Sequence, residues 1–301
     1  MPLIGAQLSA AGGLANVPER AAACRAEVVQ IFNTNPRMWR SYVYTDEDTE
    51  TMAAALRQAG IPLFVHSIYL INLVSPDEAL RERSAQALSR ALLLAARTGA
   101  RGVVTHIGSH HGVGFAAAVR WAISSVKTAL DLAQETSQAP LPRLLLENGA
   151  GAGHLVGGDL SELATLVAAL PGETGICLDT AHLFAAGIPV HESEGLERLL
   201  SSLRAFGLLD AIGLWHLNDS KTAFASGRDQ HQNPGEGHIG SDGLARIVRH
   251  PAFRHLPFVL EVPGADGHGP DALNVGRVQA MREVSPGLPS PPSSPASRRE
   301  A

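Results

Sequence analysis

Short apolar runs alternate with longer segments of helical periodicity along almost the whole chain. Each of the eight runs has the length of a buried strand, and each is followed by enough chain for a helix. This alternation predicts βα units with a parallel sheet, because each helix returns the chain to the edge where the next strand begins. The expected strands cover residues 3–7, 28–32, 63–66, 102–106, 144–147, 175–179, 212–216 and 257–261.

Eight strands separated by helices favour a closed (β/α)8 TIM barrel, an α/β fold that commonly occupies roughly 250 residues. An open, doubly wound sheet of eight strands is the structural alternative. The barrel is expected to fill residues 1–284 as a single domain. Residues 285–301 are rich in proline and serine and poor in apolar side chains, so they bury too little surface to offset the entropy of ordering, and a disordered tail is expected.

Two of the expected helices have clear start signals. Ser75 and Glu78 have the spacing of a capping box, Pro76 suits a first helical turn, and Gly99 is expected just past the end of that helix. Asp159 is expected to cap the helix that follows the fifth strand.

The most informative polar residues stand where the apolar strands end. Six of the eight expected strands finish in a histidine or a carboxylate: His66, His106, Glu147, Asp179, His216 and Glu261. The carboxyl ends of the strands of a parallel barrel form one rim, and the active sites of such barrels lie there. One histidine at a strand end is usually a structural group, but six ligand-type endings on one rim indicate a metal site.

Short spacings add three more candidate ligands. Asp179 and His182 are three residues apart, so one helical turn would bring them to the same side. Asp229 and His231 lie two apart in the polar, glycine-rich stretch 216–240, which taken alone is explained equally well as a solvated loop. A zinc ion usually takes four ligands. Nine groups therefore fit three ions, with one carboxylate bridging two of them.

The composition leaves a nucleic-acid partner open. A formal charge of −5 argues weakly against one, but three divalent cations would reverse its sign, so local DNA binding stays compatible. The chain contains no apolar stretch long enough to span a membrane, and its start lacks a signal-peptide pattern. A cytoplasmic protein with no membrane partner is expected, and the sequence indicates no obligatory protein partner.

Several longer motifs together resemble one known family. They are SAAGGLANV, FNTNPRMW, HSIYLINL, LLLENGAGAG, CLDTAHLFAAG, HLNDSK and GRDQHQNPGEGHIG. From about Ile4 to about Val284, the chain resembles the endonuclease IV family of apurinic/apyrimidinic (AP) endonucleases. The resemblance implies a TIM barrel with three zinc ions that acts on double-stranded DNA containing abasic sites, and thus a protein associated with nucleoid DNA in the cytoplasm.

The resemblance also implies how the ligands are divided among the ions. The first zinc would be held by His66, His106 and Glu147, the second by Glu147 as a bridge with Asp179, His216 and Glu261, and the third by His182, Asp229 and His231. These nine residues are the same set that the strand ends and spacings indicate.

By the same resemblance, Arg37, Tyr69 and Leu70 would enter the minor groove at the lesion. Side chains inserted there would kink the duplex and turn the abasic nucleotide toward the metals. The chain departs from the family pattern at Gln7, Met38, Ile107 and Gln232, none of which is an expected ligand.

The implied reaction is hydrolysis of the phosphodiester 5′ to an abasic site, which leaves a 3′-hydroxyl and a 5′-deoxyribose phosphate. Glu147 and Glu261 are the expected catalytic residues, orienting or deprotonating the attacking water. Two other functions stay open. A sugar isomerase or epimerase of similar fold would need one divalent ion on Glu147, Asp179, His216 and Glu261. A noncatalytic binder of abasic DNA would need no cleavage chemistry.

Overall fold

The computed structural model describes residues 1–172 and 174–283, and it contains a closed barrel of eight parallel strands. The eight strands follow one another around the barrel in chain order, and the last pairs with the first. The barrel strands are β1 Ile4–Leu8, β2 Val29–Phe32, β3 Leu63–His66, β4 Gly102–Thr105, β5 Arg143–Glu147, β6 Gly175–Asp179, β7 Ile212–His216 and β10 Phe258–Leu260. The predicted TIM barrel is confirmed, and the open sheet is excluded.

Helices follow the strands and cover the outside of the barrel. They are α1 Val17–Cys24, α2 Asp46–Gln58, α3 Glu78–Thr98, α4 Phe115–Thr136, α5 Leu160–Ala169, α6 Thr180–Ala185, α7 Ser193–Ala205, α8 Gly240–Arg249 and α9 Ala272–Glu283, with a short 3-10 helix at Leu14–Asn16. Two-residue strands, β8 Asp219–Ser220 and β9 His231–Gln232, form an antiparallel pair after β7. Among the described residues, no helix is long and apolar enough to cross a membrane.

The helix caps correct one sequence prediction. Asp77, not Ser75, caps α3, because its carboxylate accepts hydrogen bonds from the backbone of Ala79 and Leu80. The capping-box prediction was therefore wrong: the cap lies two residues later, Pro76 precedes it instead of lying in the first turn, and the Ser75 hydroxyl accepts from the Asp77 backbone. The other two signals are confirmed: Gly99 ends α3 with a φ of 66°, and Asp159 caps α5.

Alternation along the strands places the polar rim above an apolar barrel interior. The interior cluster consists of Val28, Phe64, Val104, Leu145, Cys177, Leu214 and Val259. Six of these residues are followed two positions later by His66, His106, Glu147, Asp179, His216 and Glu261. Because side chains two apart on a strand share a face, all six candidate ligands point inward at the carboxyl end. His106 and Glu261 lie one residue beyond their strands and keep this alternation.

The tail predicted for 285–301 lies outside the described residues.

Candidate metal centre

Six of the nine candidate ligands line a cleft of about 920 Å3 at the carboxyl ends of the strands. Its walls include His106, Glu147, His182, Asp229, His231 and Glu261. The three residues expected to contact DNA, Arg37, Tyr69 and Leu70, line the same cleft. The structure therefore brings the expected ligand residues and the expected DNA-contacting residues to one surface.

Glu147 is the centre of the site and is 1% exposed. Its Oε2 lies 3.1 Å from His66 Nε2 and 3.4 Å from His106 Nδ1. Its Oε1 lies 3.0 Å from His216 Nδ1. The two oxygens thus face different imidazoles, an arrangement suited to a carboxylate that bridges two cations. His66, His106 and Glu147 form the first group whose donor atoms all lie within 4.8 Å of one another.

The second group contains Glu147, Asp179, His216 and Glu261. His216 Nδ1 lies 3.2 Å from Glu261 Oε2 and 4.0 Å from Asp179 Oδ2. Three carboxylates and one imidazole surround one small volume, and two of the carboxylates are fully or almost fully buried. Buried carboxylates that face each other need a cation or protons to offset their repulsion.

The third group contains Asp179, His182 and His231. Asp229 reaches both histidines with different oxygens: Oδ2 lies 3.2 Å from His182 Nε2, and Oδ1 lies 3.1 Å from His231 Nε2. Asp179 Oδ2 lies 3.5 Å from His231 Nε2, so Asp179 stands between the second and third groups. Asp229 is the most exposed of these residues, with 51% of its side chain accessible.

In four of the five candidate histidines, one ring nitrogen lies within hydrogen-bond distance of a backbone carbonyl or of the side-chain amide oxygen of Gln30. His66 Nδ1 lies 2.6 Å from the carbonyl of Ser67, His182 Nδ1 lies 2.9 Å from that of Asn148, and His231 Nδ1 lies 3.0 Å from that of Glu261. His216 Nε2 lies 3.1 Å from the amide oxygen of Gln30. Each ring can donate to its acceptor and present the other nitrogen to the carboxylates. Metal-binding histidines usually have such a partner, which fixes the tautomer.

Two buried amides support the site, and sequence reasoning missed Gln30 entirely. Gln30 accepts from His216 and donates to Glu261 Oε1 at 2.8 Å. Asn218 donates to Asp179 Oδ2 at 2.6 Å and accepts from the backbone of Glu261 at 2.7 Å. The available signal for Gln30 was a polar residue inside an otherwise apolar strand.

The electrostatics keep two of the carboxylates, those of Glu147 and Asp229, ionised. Burial opposes ionisation of Glu147, but His106 and His216 outweigh it and hold its pKa well below the ordinary value. Burial likewise opposes ionisation of Asp229, yet His182 and His231 lower its pKa. Burial lowers the pKa of His106 to about 4, so this imidazole is neutral at pH 7, the form that binds metals.

The donor set fits divalent metal ions. The Nε2 atoms of His182 and His231 are buried and have no hydrogen-bond partner, although the Asp229 oxygens lie within 3.2 Å of them. A buried ring nitrogen that faces a carboxylate without forming a hydrogen bond is suited to a shared cation. Imidazole and carboxylate together are typical zinc ligands.

Tyr69 connects the metal centre to the loop after β2. Its ring packs edge-on against Phe32 at 5.1 Å between centroids, and it lies 6.0 Å from His66 and 6.1 Å from His106. Burial is the largest cause that raises the pKa of the Tyr69 phenol, and the negative charges of Glu261 and Glu147 raise it further. The phenol is therefore neutral at pH 7. Tyr69 is still 49% exposed and lines the cleft.

The chain matches the family model described as xylose isomerase-like TIM barrel over residues 18–283. It is 36% identical to a protein named probable endonuclease 4 from Nitratidesulfovibrio vulgaris strain Hildenborough, over 93% of this chain and 99% of the relative. A protein of the same name from Haloarcula marismortui is 34% identical, over 94% and 99% of the two chains.

A solved structure of an endonuclease IV is also similar to this chain. The crystal structure of endonuclease IV from Thermus thermophilus is 36% identical, covers 94% of this chain and 99% of its own, and has a TM-score of 0.83. A D-tagatose 3-epimerase-like protein has a TM-score of 0.66 at 15% identity, which shows a shared fold only. The chain therefore belongs to the endonuclease IV family and to the wider family of xylose isomerase-like TIM barrels.

Proposed function

We propose that this protein is a zinc-dependent AP endonuclease that hydrolyses the phosphodiester 5′ to an abasic site in duplex DNA, leaving a 3′-hydroxyl and a 5′-deoxyribose phosphate. The observation that carries the proposal is the convergence of five histidines and four carboxylates on one rim. The similarity to relatives named endonuclease 4 supports it. Residues 1–284 would form the single catalytic domain.

Three zinc ions per chain would divide the nine residues. The first would lie on His66, His106 and Glu147, the second on Glu147, Asp179, His216 and Glu261, and the third on His182, Asp229 and His231. Zinc bound here would lower the pKa of water to about 7 and offset charge on the phosphate oxygens. The two-sided contacts of Glu147 support its assignment as the bridge.

We assign to two glutamates of this chain the orientation and deprotonation of the attacking water. Glu147 and Glu261 line the cleft, and Glu261 Oε1 is held by the Gln30 amide at 2.8 Å. Either carboxylate can orient a water and accept its proton as the oxygen bonds to phosphorus. The bond from phosphorus to the 3′ oxygen breaks, and that oxygen leaves as the 3′-hydroxyl after taking up a proton.

The DNA contacts follow from the shape of the same cleft. Arg37 is exposed on its wall, and Tyr69 and Leu70 lie in the loop after β3, with Tyr69 exposed and Leu70 partly buried against the core. An exposed guanidinium suits a phosphate contact. Inserting the apolar pair into the minor groove would unstack the duplex at the abasic site and bring the damaged strand to the metal centre.

The test is metal analysis followed by cleavage of one abasic duplex. We expect about three zinc ions per chain and a single product with a 3′-hydroxyl. Glu261→Gln should lower the single-turnover rate by roughly 100-fold or more, which is the usual contribution of a positioned acid or base. Glu50→Gln is the matched control, because Glu50 is an exposed residue of α2 that pairs with Arg57. An uncut duplex, or equal rates for the two variants, would refute the proposal.

The two alternative functions give different results in the same experiments. A sugar isomerase would hold one divalent ion and would have no use for His66, His106, His182, Asp229 or His231. The contacts of these five side chains with the other candidate ligands therefore favour the nuclease. A noncatalytic binder would retain tight abasic-DNA binding after chelation and would leave the duplex intact.

A further inference from the structure

The first two barrel strands carry no candidate ligand, and each has a glutamine facing the barrel interior instead: Gln7 in β1 and Gln30 in β2. Leu3 packs against the interior cluster of the barrel, so alternation along β1 turns Gln7 toward the same interior. The Gln30 amide hydrogen-bonds to two candidate ligands, whereas the Gln7 amide hydrogen-bonds to none of them. The two glutamines therefore differ in their contacts although they lie side by side.

Strand register places Gln7 between Gln30 and Glu261. Gln7 pairs directly with Gln30 across β1 and β2. On the other side, Ala6 pairs with Leu260 across β1 and β10. The residues that follow this pair, Gln7 and Glu261, therefore lie next to each other. Since neighbouring residues at the same register point to the same face of a sheet, Gln7 is a direct neighbour of a candidate catalytic glutamate inside the barrel.

The Gln7 amide is buried without a protein partner. Its two polar atoms, Nε2 and Oε1, are both shielded from solvent, and neither forms a hydrogen bond with any described residue. Burying an amide without hydrogen bonds costs free energy, and such groups in folded proteins nearly always have a partner. A bound molecule is therefore expected to complete the hydrogen bonds of Gln7.

The position of the amide favours a small partner. The described residues that line the cleft of about 920 Å3 do not include Gln7, so DNA in that cleft would not reach its amide. The oxygens beside Gln7 can accept further hydrogen bonds. Glu261 Oε1 accepts one from Gln30 at 2.8 Å, and Gln30 Oε1 accepts one from His216 at 3.1 Å, while each oxygen has room for another. A buried water makes about three hydrogen bonds, and Gln7, Gln30 and Glu261 together offer that number.

We propose that Gln7 is a positioning residue for Glu261 and acts through one buried water. Gln7 Nε2 donates to the water, and the water donates to Glu261 Oε1 and to Gln30 Oε1. Held by the water and by Gln30, Oε1 fixes the carboxylate so that Oε2 stays on the side of His216, 3.2 Å from its Nδ1. Oε2 is then the oxygen that faces the attacking water. This inference rests on the proposed function, because it concerns the glutamate assigned to that water.

A crystal structure of the zinc-loaded, full-length protein tests the water directly, at a resolution that shows ordered solvent. We expect one water within about 3.2 Å of both Gln7 Nε2 and Glu261 Oε1. The Gln7→Met variant should lack this water, because a thioether has no donor and is only a weak acceptor. A wild-type structure in which Gln7 bonds directly to a protein group, or has no water beside it, would overturn the inference.

Single-turnover cleavage of an abasic duplex, measured against enzyme concentration, tests the effect on the reaction. Gln7→Met should lower the maximal rate by about tenfold, as expected for loss of a hydrogen bond to a charged group. The enzyme concentration for half-maximal rate should change by less than about twofold, because Gln7 contributes nothing to DNA binding itself. Gln7→His should recover the maximal rate to within about threefold of the wild type, since an imidazole keeps one donor and one acceptor for the water.

Thermal unfolding of the zinc-loaded variants gives a readout that does not depend on activity. If the Gln7 amide had no partner at all, Gln7→Met would raise the unfolding temperature, because it would remove an unsatisfied buried group. If the amide holds a water, the same substitution should leave the unfolding temperature equal or lower it. Gln134→Met is the matched control in both experiments, because Gln134 is an exposed residue of α4, and it should behave as the wild type does.

The outcomes separate this inference from the proposed function. With a wild type that cleaves, equal maximal rates for Gln7→Met and Gln134→Met would overturn the role of Gln7 and leave the nuclease standing. A higher unfolding temperature for Gln7→Met than for the wild type would do the same. A wild type that does not cleave the duplex would overturn both.

Discussion

The Gln30 amide offers a sharp test of how this chain orients the residues of its candidate metal centre. Gln30 is fully buried in β2 and joins two candidate ligands of the second group, accepting from His216 at 3.1 Å and donating to Glu261 at 2.8 Å. Methionine has nearly the same volume and shape, so Gln30→Met removes both hydrogen bonds without opening a large cavity. The fold should survive while the two ligands lose their support.

The expected effect is a ten- to hundredfold loss of metal affinity at the second group, the usual result of removing a partner that orients a ligand. This corresponds to about 1.4–2.8 kcal/mol, since each tenfold is about 1.4 kcal/mol. The cause is that Gln30 holds His216 in the tautomer whose Nδ1 faces Glu147 at 3.0 Å. Without it, the ring can rotate or present the wrong nitrogen, and Glu261 loses the donor that aims its carboxylate.

Competition with a chelator measures this affinity directly, with elemental analysis of the protein at each chelator concentration. Gln30→Met should release the first of its ions at a ten- to hundredfold lower chelator concentration than the wild type does. Gln279→Met is the control, because the amide of Gln279 donates to the Arg25 carbonyl on the exposed outer surface. If the two variants release metal at the same chelator concentration, the Gln30 contacts do not orient the ligands and the reasoning fails.

Three further substitutions separate metal binding from stability. Asp229→Ala should leave two ions per chain by elemental analysis and lower cleavage by at least about 100-fold, because one metal ion supplies several kcal/mol of charge stabilisation; three ions with full cleavage would contradict the third site. Asp219→Asn should lower the free energy of unfolding by roughly 2 kcal/mol or more, because it leaves buried N–H groups without an acceptor. Hydrogen exchange of the amides in 231–240 should become faster. Unchanged exchange rates would contradict this prediction. Asp77→Ala should cost about 1 kcal/mol of stability through loss of the α3 cap, seen by denaturant unfolding, while metal content stays at the wild-type value.

Strand positions could be predicted from the sequence because barrel strands are buried on both faces. A continuous apolar run bounded by polar residues is the pattern of such a strand. The bounds of β3, β6 and β7 agree with the sequence prediction to the residue, and the remaining strands differ by one residue at one end or at both. The start of α3 was less predictable, since Ser75 and Asp77 both have capping side chains and only the path of the chain selects between them.

The candidate ligands could be found because their positions follow from the barrel itself. Any ligand-type side chain that continues the inward alternation at the carboxyl end of a strand must face the others. Gln30 could not be found in this way, because its role depends on Glu261, 231 residues further along the chain. The sequence shows only a polar residue in an apolar strand, and whether that amide pairs with a ligand is set by contacts across the barrel.

Backbone hydrogen bonds to a single buried carboxylate hold the glycine-rich loop between β7 and α8 in one conformation. The buried Asp219 carboxylate accepts backbone hydrogen bonds from Gly235, Gly237, Ile239 and Gly240 at 2.9 to 3.3 Å. A side chain at Gly237 would come within 2.5 Å of Asp219 Oδ1, so glycine is required there. Asp219 also pairs with Gln232 across β8 and β9, which places His231 over the rim. A segment that composition alone would assign to a solvated loop is thus closed around one carboxylate. This closure explains how Asp229 and His231 reach His182, which belongs to a different βα unit.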